Sequence, residues 1–411
     1  MFLSVFELFK IGIGPSSSHT VGPMVAARRF LSNAKAENAA RVSVSLHGSL
    51  AFTGKGHGTD RACVLGLAGE APETIEPDRV DAVVREIAER KYITLPNGKR
   101  ISFDPAKDVI FDYGPALPGH ANGMIFTLWD ASCAKAFSET YYSIGGGFVQ
   151  TEAERLESKS QDRAAAKPKL AVPYPFSTAK EMLEMGKASG LSIAEMKRAN
   201  ETAVMSSAEL DVGLDRIWSA MNACMNRGLT FGGQLPGGLK VKRRASEIFA
   251  ALKTEQGGNS IQPHRIMDFL SVYAMAVNEE NAAGGKVVTA PTNGAAGVMP
   301  AIVRYYLDHC LDADEAGVRT LLLVSSAIGG IINSRTIPMI PAPIIAGGAN
   351  NQLDAEARDG EAVAQRGMVY APDYVINAGG LINVYSELKG YPREKAMADA
   401  ASIFNTVKRV I

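Results

Sequence analysis

The chain has almost no local metal-ligating pattern. Its four cysteines, Cys63, Cys133, Cys224 and Cys310, are scattered through 411 residues, and none falls in a CxxC or CxH spacing. Sequence-local metal ligation is therefore not supported, although distant thiols can still converge in space. The plain expectation is four reduced, mostly buried thiols. An excess of either charge is also missing. Forty-three Lys and Arg balance forty-three Asp and Glu, which removes the electrostatic reason for a nucleic-acid or anionic-membrane partner. No apolar run reaches the roughly 18–20 residues that span a bilayer. The opening MFLSVFELFKIG carries Glu7 inside its apolar stretch and no small-residue cleavage site. It does not read as a signal peptide, and a cytoplasmic location is expected. No G-x-G-x-x-G follows a strand-like run, since GIGPSS and GKGHGT both fail the pattern; the dinucleotide cradle is missing and NAD is not expected. Lys286 follows Gly285 but faces no phosphate-binding loop, so pyridoxal phosphate is not expected either.

Two stretches concentrate glycine and short polar side chains. Lys10–Met24 reads KIGIGPSSSHTVGPM, and Ala276–Pro300 reads AVNEENAAGGKVVTAPTNGAAGVMP. Small residues let a backbone come close to a ligand or to a neighbouring helix, so a helix–loop–helix corner explains the second stretch as well as a binding site does. Thr20–Asn33 carries an amphipathic helical pattern through Val21, Met24, Val25, Phe30 and Leu31. The serines before it are N-cap material, and a helix N-terminus suits a carboxylate; ordinary capping by Ser17 or Ser18 would use the same residues. Arg41–Leu46 alternates as a strand. It leads into a glycine-rich loop, His47–Ala62 (HGSLAFTGKGHGTDRA), in which His57 stands between two glycines and suits a polar loop near a ligand.

The fold class expected is multidomain. Residues 1–150 read as an α+β domain, with Asp104–Tyr113 and Gly119–Leu128 as further strand material. Residues 151–173 are charged and alanine-rich and read as a linker. Residues 174–328 read as a mostly α-helical domain of catalytic type, with helices at Ser177–Ala188, Ser192–Met205, Glu209–Arg227, Met267–Glu280, Val298–Leu307 and Ala313–Ile328. Residues 329–411 read as a short α/β segment like the edge of a Rossmann sheet. Its strands are expected at Pro343–Gly347 and Tyr374–Asn377 and its helices at Gly380–Lys389 and Arg393–Val410.

GPSSSHT-VGP and NEENAAGG-VVTAPTNGAAG, with GSLA-TGKGHGTD, LPGHANGM and YYSIGGGFV, resemble the iron–sulfur L-serine dehydratase (L-serine ammonia-lyase) family over residues 1–327. Ala121 stands where that family has proline. The resemblance implies conversion of L-serine to pyruvate and ammonia through aminoacrylate. It also implies a [4Fe-4S] cluster held by three cysteines in segments like GAEVGCQGEVG and IPCIERN. Neither segment occurs here, and the chain closes on Ile411 rather than on a cysteine. By the family match, Ser16, Ser17, Ser18, His19 and Thr20 attend the substrate carboxylate and amino group. Lys55, His57 and Thr59 join from the second loop, Asn122 from the HANGM segment, and Thr292 and Asn293 from the helical part. His57, then His19, is the expected proton shuttle, with Lys55 beside them as a catalytic candidate. As alternatives, His19 is a hydrogen bonder of the cap region and His57 an exposed loop residue.

From Gly329 the text resembles instead the C-terminal part of leucine dehydrogenase, through ANNQL and YAPDYVINAGG. Asn350, Asn351 and Asn377 match positions that face nicotinamide or substrate in that family. The expectation is a fusion of two unrelated genes, a designed or scrambled sequence, or an assembly artefact, with a tail that does not complete the helical bundle. Three functions compete: an L-serine ammonia-lyase, a serine-binding remnant without turnover, and an NAD-dependent amino-acid dehydrogenase fragment. L-serine is the expected small-molecule partner, and a homodimer is left open.

Overall fold

The computed structural model describes residues 2–33, 38–160, 171–237, 240–255, 265–289, 292–333, 344–345, 356–370 and 393–410. In chain order they form α1 (Val5–Leu8), β1 (Lys10–Ile13), a π-helical turn (Ser17–Val21) that runs into α2 (Gly22–Asn33), β2 (Arg41–His47), α3 (Ser49–Phe52), α4 (Thr59–Leu67), α5 (Val80–Arg90), β3 (Tyr92–Thr94), β4 (Arg100–Ser102), α6 (Pro105–Asp108), β5 (Val109–Asp112), β6 (Gly123–Trp129), β7 (Lys135–Gly145), β8 (Phe148–Thr151) and α7 (Glu152–Ser160). Then follow α8 (Ala179–Ser189), α9 (Ile193–Thr202), α10 (Ser207–Thr230), α11 (Ala245–Glu255), α12 (Arg265–Ala282), β9 (Lys286–Thr289), α13 (Val298–His309), α14 (Glu315–Asn333), β10 (Ile344–Ile345), α15 (Glu356–Gln365), β11 (Val369–Tyr370) and α16 (Arg393–Val410). The architecture is mixed helix and sheet. Packing groups Ser4–Ala171 with Glu201–Leu323 in one unit, and Met1–Leu3, Val172–Asn200 and Val324–Ile411 in a second.

The larger unit is built on a seven-stranded sheet of order β3-β4-β2-β6-β7-β8, with β5 also paired to β2. The alternation in β2 buries Val42, Val44 and Leu46, which meet Phe126 and Leu128 of β6 and Tyr141 of β7. Helix α2 covers this face through Phe30, whose ring stacks on Phe126 at 5.2 Å between centroids. Burying such a side chain contributes about 1.5–3 kcal/mol. Helix α4 crosses α2 closely because residue 66 is glycine: a Cβ there would fall 2.3 Å from the Met24 carbonyl oxygen. The helical part of the same unit starts at α10. Its capping box has the Glu209 amide donating to Ser206 Oγ (3.2 Å) and the Ser206 amide to Glu209 Oε2 (2.8 Å), which satisfies two otherwise orphaned donors. Helices α10–α13 then share a core of Met225, Leu229, Phe269, Tyr273 and Val287.

In the second unit, Met182 of α8, Met196 of α9 and Ala327 of α14 pack together. Asn200 holds the preceding segment by accepting from the Tyr174 amide (2.8 Å) and donating to its carbonyl (2.7 Å). Further on, β10 and β11 pair in parallel, with α15 between them in the chain, the crossover that a parallel pair requires. The Asn350, Asn351 and Asn377 positions and the segments expected at Tyr374–Asn377 and Gly380–Lys389 lie outside the described residues. Among the described residues no helix is long and apolar enough to cross a membrane.

Several local expectations need correction. The glycine-rich stretch Lys10–Met24 opens with a strand, β1, and its serine run is a helical turn rather than only a cap. The stretch His47–Ala62 holds α3 and the start of α4, because its glycines punctuate short helices instead of a single loop. Asp104–Tyr113 splits into α6 and β5, since Asp104 caps a turn by accepting from the Ala106 amide. The segment read as linker opens with α7.

Candidate active site

The two glycine-rich stretches meet through a two-stranded antiparallel ladder. Strand β1 pairs with β9 in the register Lys10–Thr289, Ile11–Val288, Gly12–Val287 and Ile13–Lys286. The ladder continues as the Gly14 amide donates to the Gly285 carbonyl at 2.9 Å. Beyond it, Asn281 Nδ2 donates to the Pro15 carbonyl (2.9 Å), and Asn293 Nδ2 donates to Asn281 Oδ1 (3.0 Å) and to the Ile13 carbonyl (3.5 Å). Gly14 makes this approach feasible, since a Cβ there would lie 2.0 Å from the Asn281 carbonyl oxygen.

The turn after β1 carries the serines and His19. Ser16 caps it by accepting from the His19 amide (3.2 Å). The His19 ring is held at both nitrogens, Nδ1 by Ser18 Oγ and Nε2 by Ser49 Oγ, each at 2.9 Å. Ser49 itself is fixed by its amide donating to the Ala121 carbonyl at 2.8 Å, next to Asn122. Burial pushes the His19 imidazole down to about 4, and the neighbouring His57 and His120 rings add to the shift. The ring is therefore neutral near pH 7.

His57 stands 4.8 Å from His19 between ring centroids. Its Nδ1 donates to the Thr53 carbonyl at 3.0 Å, which leaves Nε2 as the proton-accepting nitrogen. Two threonines pin this pair. Thr20 Oγ1 donates to the His57 carbonyl (2.8 Å) and Thr59 Oγ1 to the His19 carbonyl (2.6 Å). Their hydroxyls thus bind the protein's own backbone. Asn122 is buried, donating from Nδ2 to the Ser143 carbonyl (3.1 Å) and from its amide to His120 Nδ1 (3.0 Å). Burial lowers the His120 pKa.

Ser16–Thr20, His57 and Thr59 are thus brought together, and Asn293 joins through Asn281. The Lys55 side chain makes no hydrogen bond among the described residues; it is exposed, its Nζ 5.6 Å from the Phe111 ring centroid. Thr292 is half-buried and caps no turn with its side chain. Sequence reasoning gave no role to Ser49, His120 or Asn281, though each lies within a singled-out segment. Three buried side-chain oxygens, Ser143 Oγ, Thr289 Oγ1 and Asn293 Oδ1, have no hydrogen-bond partner among the described residues.

Behind Asn281, the buried carboxylate of Glu280 accepts from Arg243 Nη1 and lies 3.0 Å from Arg227 Nε. The adjacent Glu279 accepts from the Arg244 amide at 2.8 Å. These pairs fix the last turn of α12, from which Asn281 projects.

The cysteines do not fit a [4Fe-4S] cluster. Cys63 and Cys224 are buried and Cys133 and Cys310 exposed. Burial pushes Cys224 up to about 12 and raises Cys63 as well, so both rest as neutral thiols. Among the described residues no three His, Cys, Asp or Glu side chains gather as metal ligands.

Comparison with known proteins adds an independent line. The family model of the serine dehydratase beta chain matches residues 4–154, and that of the alpha chain residues 188–339. The chain is 46% identical over 333 residues to an L-serine dehydratase of Streptomyces coelicolor, covering 80% of this chain and 71% of that protein. It is 40% identical over 334 residues to L-serine dehydratase 1 of Escherichia coli, with the same coverage. A Helicobacter pylori L-serine dehydratase is 42% identical over 330 residues, covering 79% of this chain and 70% of the relative.

Proposed function

Since the chain belongs to the serine dehydratase family, a family of carbon–nitrogen lyases, we propose that its site takes L-serine and that its reaction is L-serine ammonia-lyase chemistry. L-Serine loses water to give aminoacrylate, which tautomerises and hydrolyses to pyruvate and ammonia. The observation that carries this reading is the β1–β9 ladder, which joins the serine–histidine turn to Asn281 and Asn293.

The roles follow from the chemistry of each group. Ser16, Ser17 and Ser18 at the head of α2 take the carboxylate, where oriented amides and hydroxyls favour negative charge. His19, neutral and bonded at both nitrogens, orients; it has no free basic nitrogen with which to shuttle a proton. His57 Nε2 accepts the Cα proton. Thr20 and Thr59 hold the two histidines, Asn122 backs the Ser49 side, and Lys55 and Thr292 are kept as rim residues. Hydroxide is a poor leaving group, and the family meets that need with an iron–sulfur cluster. The described residues provide no ligand set for one, so recognition and proton transfer are what they supply.

That mismatch favours a second reading: a body that binds serine without turnover. A dehydrogenase fragment is the weakest, for lack of a dinucleotide loop. Under the same proposal the chain divides into 1–150, 151–173, 174–328 and 329–411, with the last segment a fused leucine-dehydrogenase-like piece. Its support is the parallel β10–α15–β11 arrangement. The test is L-serine binding by calorimetry on the full chain, together with pyruvate release and iron content after anaerobic reconstitution with iron and sulfide. Binding with pyruvate supports the lyase. Binding without pyruvate supports the recognition body. No binding overturns both.

A further inference from the structure

The carboxamides between the two glycine-rich stretches have a fixed polarity. Asn281 faces the Pro15 carbonyl, an acceptor, so its Nδ2 must point there (2.9 Å) and its Oδ1 must point away. Asn293 faces that Oδ1 and the Ile13 carbonyl, again acceptors, so its own Nδ2 must point at them (3.0 and 3.5 Å). Rotating either amide would set oxygen against oxygen. The relay ends on Asn293 Oδ1, an acceptor on a residue only 3% exposed, with no partner among the described residues. Thr289 Oγ1, on the same segment and 2% exposed, likewise has no partner among the described residues. A buried acceptor left unmade costs about 1–3 kcal/mol, which a ligand N–H aimed at it would recover.

We infer that Asn293 Oδ1 receives the α-amino group of the substrate, and that Asn281 is the positioning residue that fixes its orientation. This rests on the reading of the site as an amino-acid site. It separates the work of the two stretches. The serine turn takes the carboxylate, and the far end of the amide relay selects for an amine. The site should then discriminate strongly against a hydroxy acid of the same shape that lacks the amine, because a desolvated acceptor would remain empty.

Calorimetry on the full chain tests this with L-serine and with 3-hydroxypropanoate, which keeps the carboxylate and the hydroxyl but has no amine. The parent should prefer L-serine. Asn293→Ala should weaken L-serine about tenfold to a hundredfold and leave 3-hydroxypropanoate within about twofold, the size expected for one hydrogen bond to a charged donor. Asn281→Ala, which removes the carboxamide that orients Asn293 and leaves its acceptor in place, should reduce the preference for the amine, and it decides the matter if Asn293→Ala does not fold. Equal weakening of both ligands in Asn293→Ala, unchanged serine affinity, or an undiminished preference in Asn281→Ala would overturn the assignment. A parent that binds L-serine with no preference over 3-hydroxypropanoate also overturns it while leaving the serine site standing. A parent that binds no L-serine sinks the amino-acid reading itself.

Discussion

Replacing His19 by glutamine should flatten the acid limb of the stability profile. Burial holds the His19 imidazole at about 4 against 6.5 for the free group. Between those values the unfolded chain binds a proton that the folded chain refuses, so stability rises with pH across that window. The contribution is intact above pH 6.5 and is lost as pH falls through 4. At about 1.4 kcal/mol per unit, the full swing is about 3 kcal/mol, and the part between pH 7.5 and 5 about 2 kcal/mol. The glutamine amide would keep a hydrogen bond to Ser49 without titrating. The assay is urea unfolding at the two pH values, followed through Trp129, whose indole donates to Ser43 Oγ across β6 and β2. The parent should lose about 2 kcal/mol more than His19→Gln on moving from pH 7.5 to 5. Parallel losses in the two proteins would refute the reasoning. So would a titration of the labelled His19 ring, read by NMR, with a midpoint near 6.5.

Other consequences are equally open to measurement. Glu280→Ala strips the buried partner from Arg243 and Arg227 and should cost about 3–5 kcal/mol, seen as a melting temperature lower by several degrees; an unchanged melting curve would show that the network is loosely solvated. His57→Asn, in preparations that release pyruvate, should lower kcat by about a hundredfold or more with little change in KM, whereas an unchanged kcat would remove His57 as the base. Gly14→Ala drives a Cβ into the Asn281 carbonyl and should cost about 1–3 kcal/mol and most of the serine affinity. Wild-type binding in that variant would mean that the two stretches can separate without harm.

How much of this could be read beforehand depends on whether the determinant was local. The alternation of RVSVSLH and the helical periods of α2, α10 and α12 are short-range patterns, and those elements fall where they were expected within a few residues. Strand β1 is not legible in the sequence because KIGI is only four residues long, contains a glycine and pairs with a strand at Lys286–Thr289, far along the chain. The helices α3 and α4 were hidden by glycines, which mark turns as readily as helix ends. The site residues were legible as a list but not as an assembly. No spacing rule announces that Ser49 will close on His19, or that Thr20 and Thr59 will spend their hydroxyls on backbone carbonyls.

The ladder between β1 and β9 also sets a schedule for synthesis. Ile13 and Asn293 are 280 residues apart in the chain, so the first half of the site leaves the ribosome long before the second exists. At about 5–20 residues per second, the delay is of order a quarter of a minute to a minute. Through that interval the KIGI strand is an open edge with apolar side chains, a ready surface for the wrong pairing partner. The cell therefore meets a nascent chain whose sheet can fold early while its chemistry waits. A pause or truncation before Lys286 would yield a folded-looking fragment that has the serine turn and no amide relay to face it.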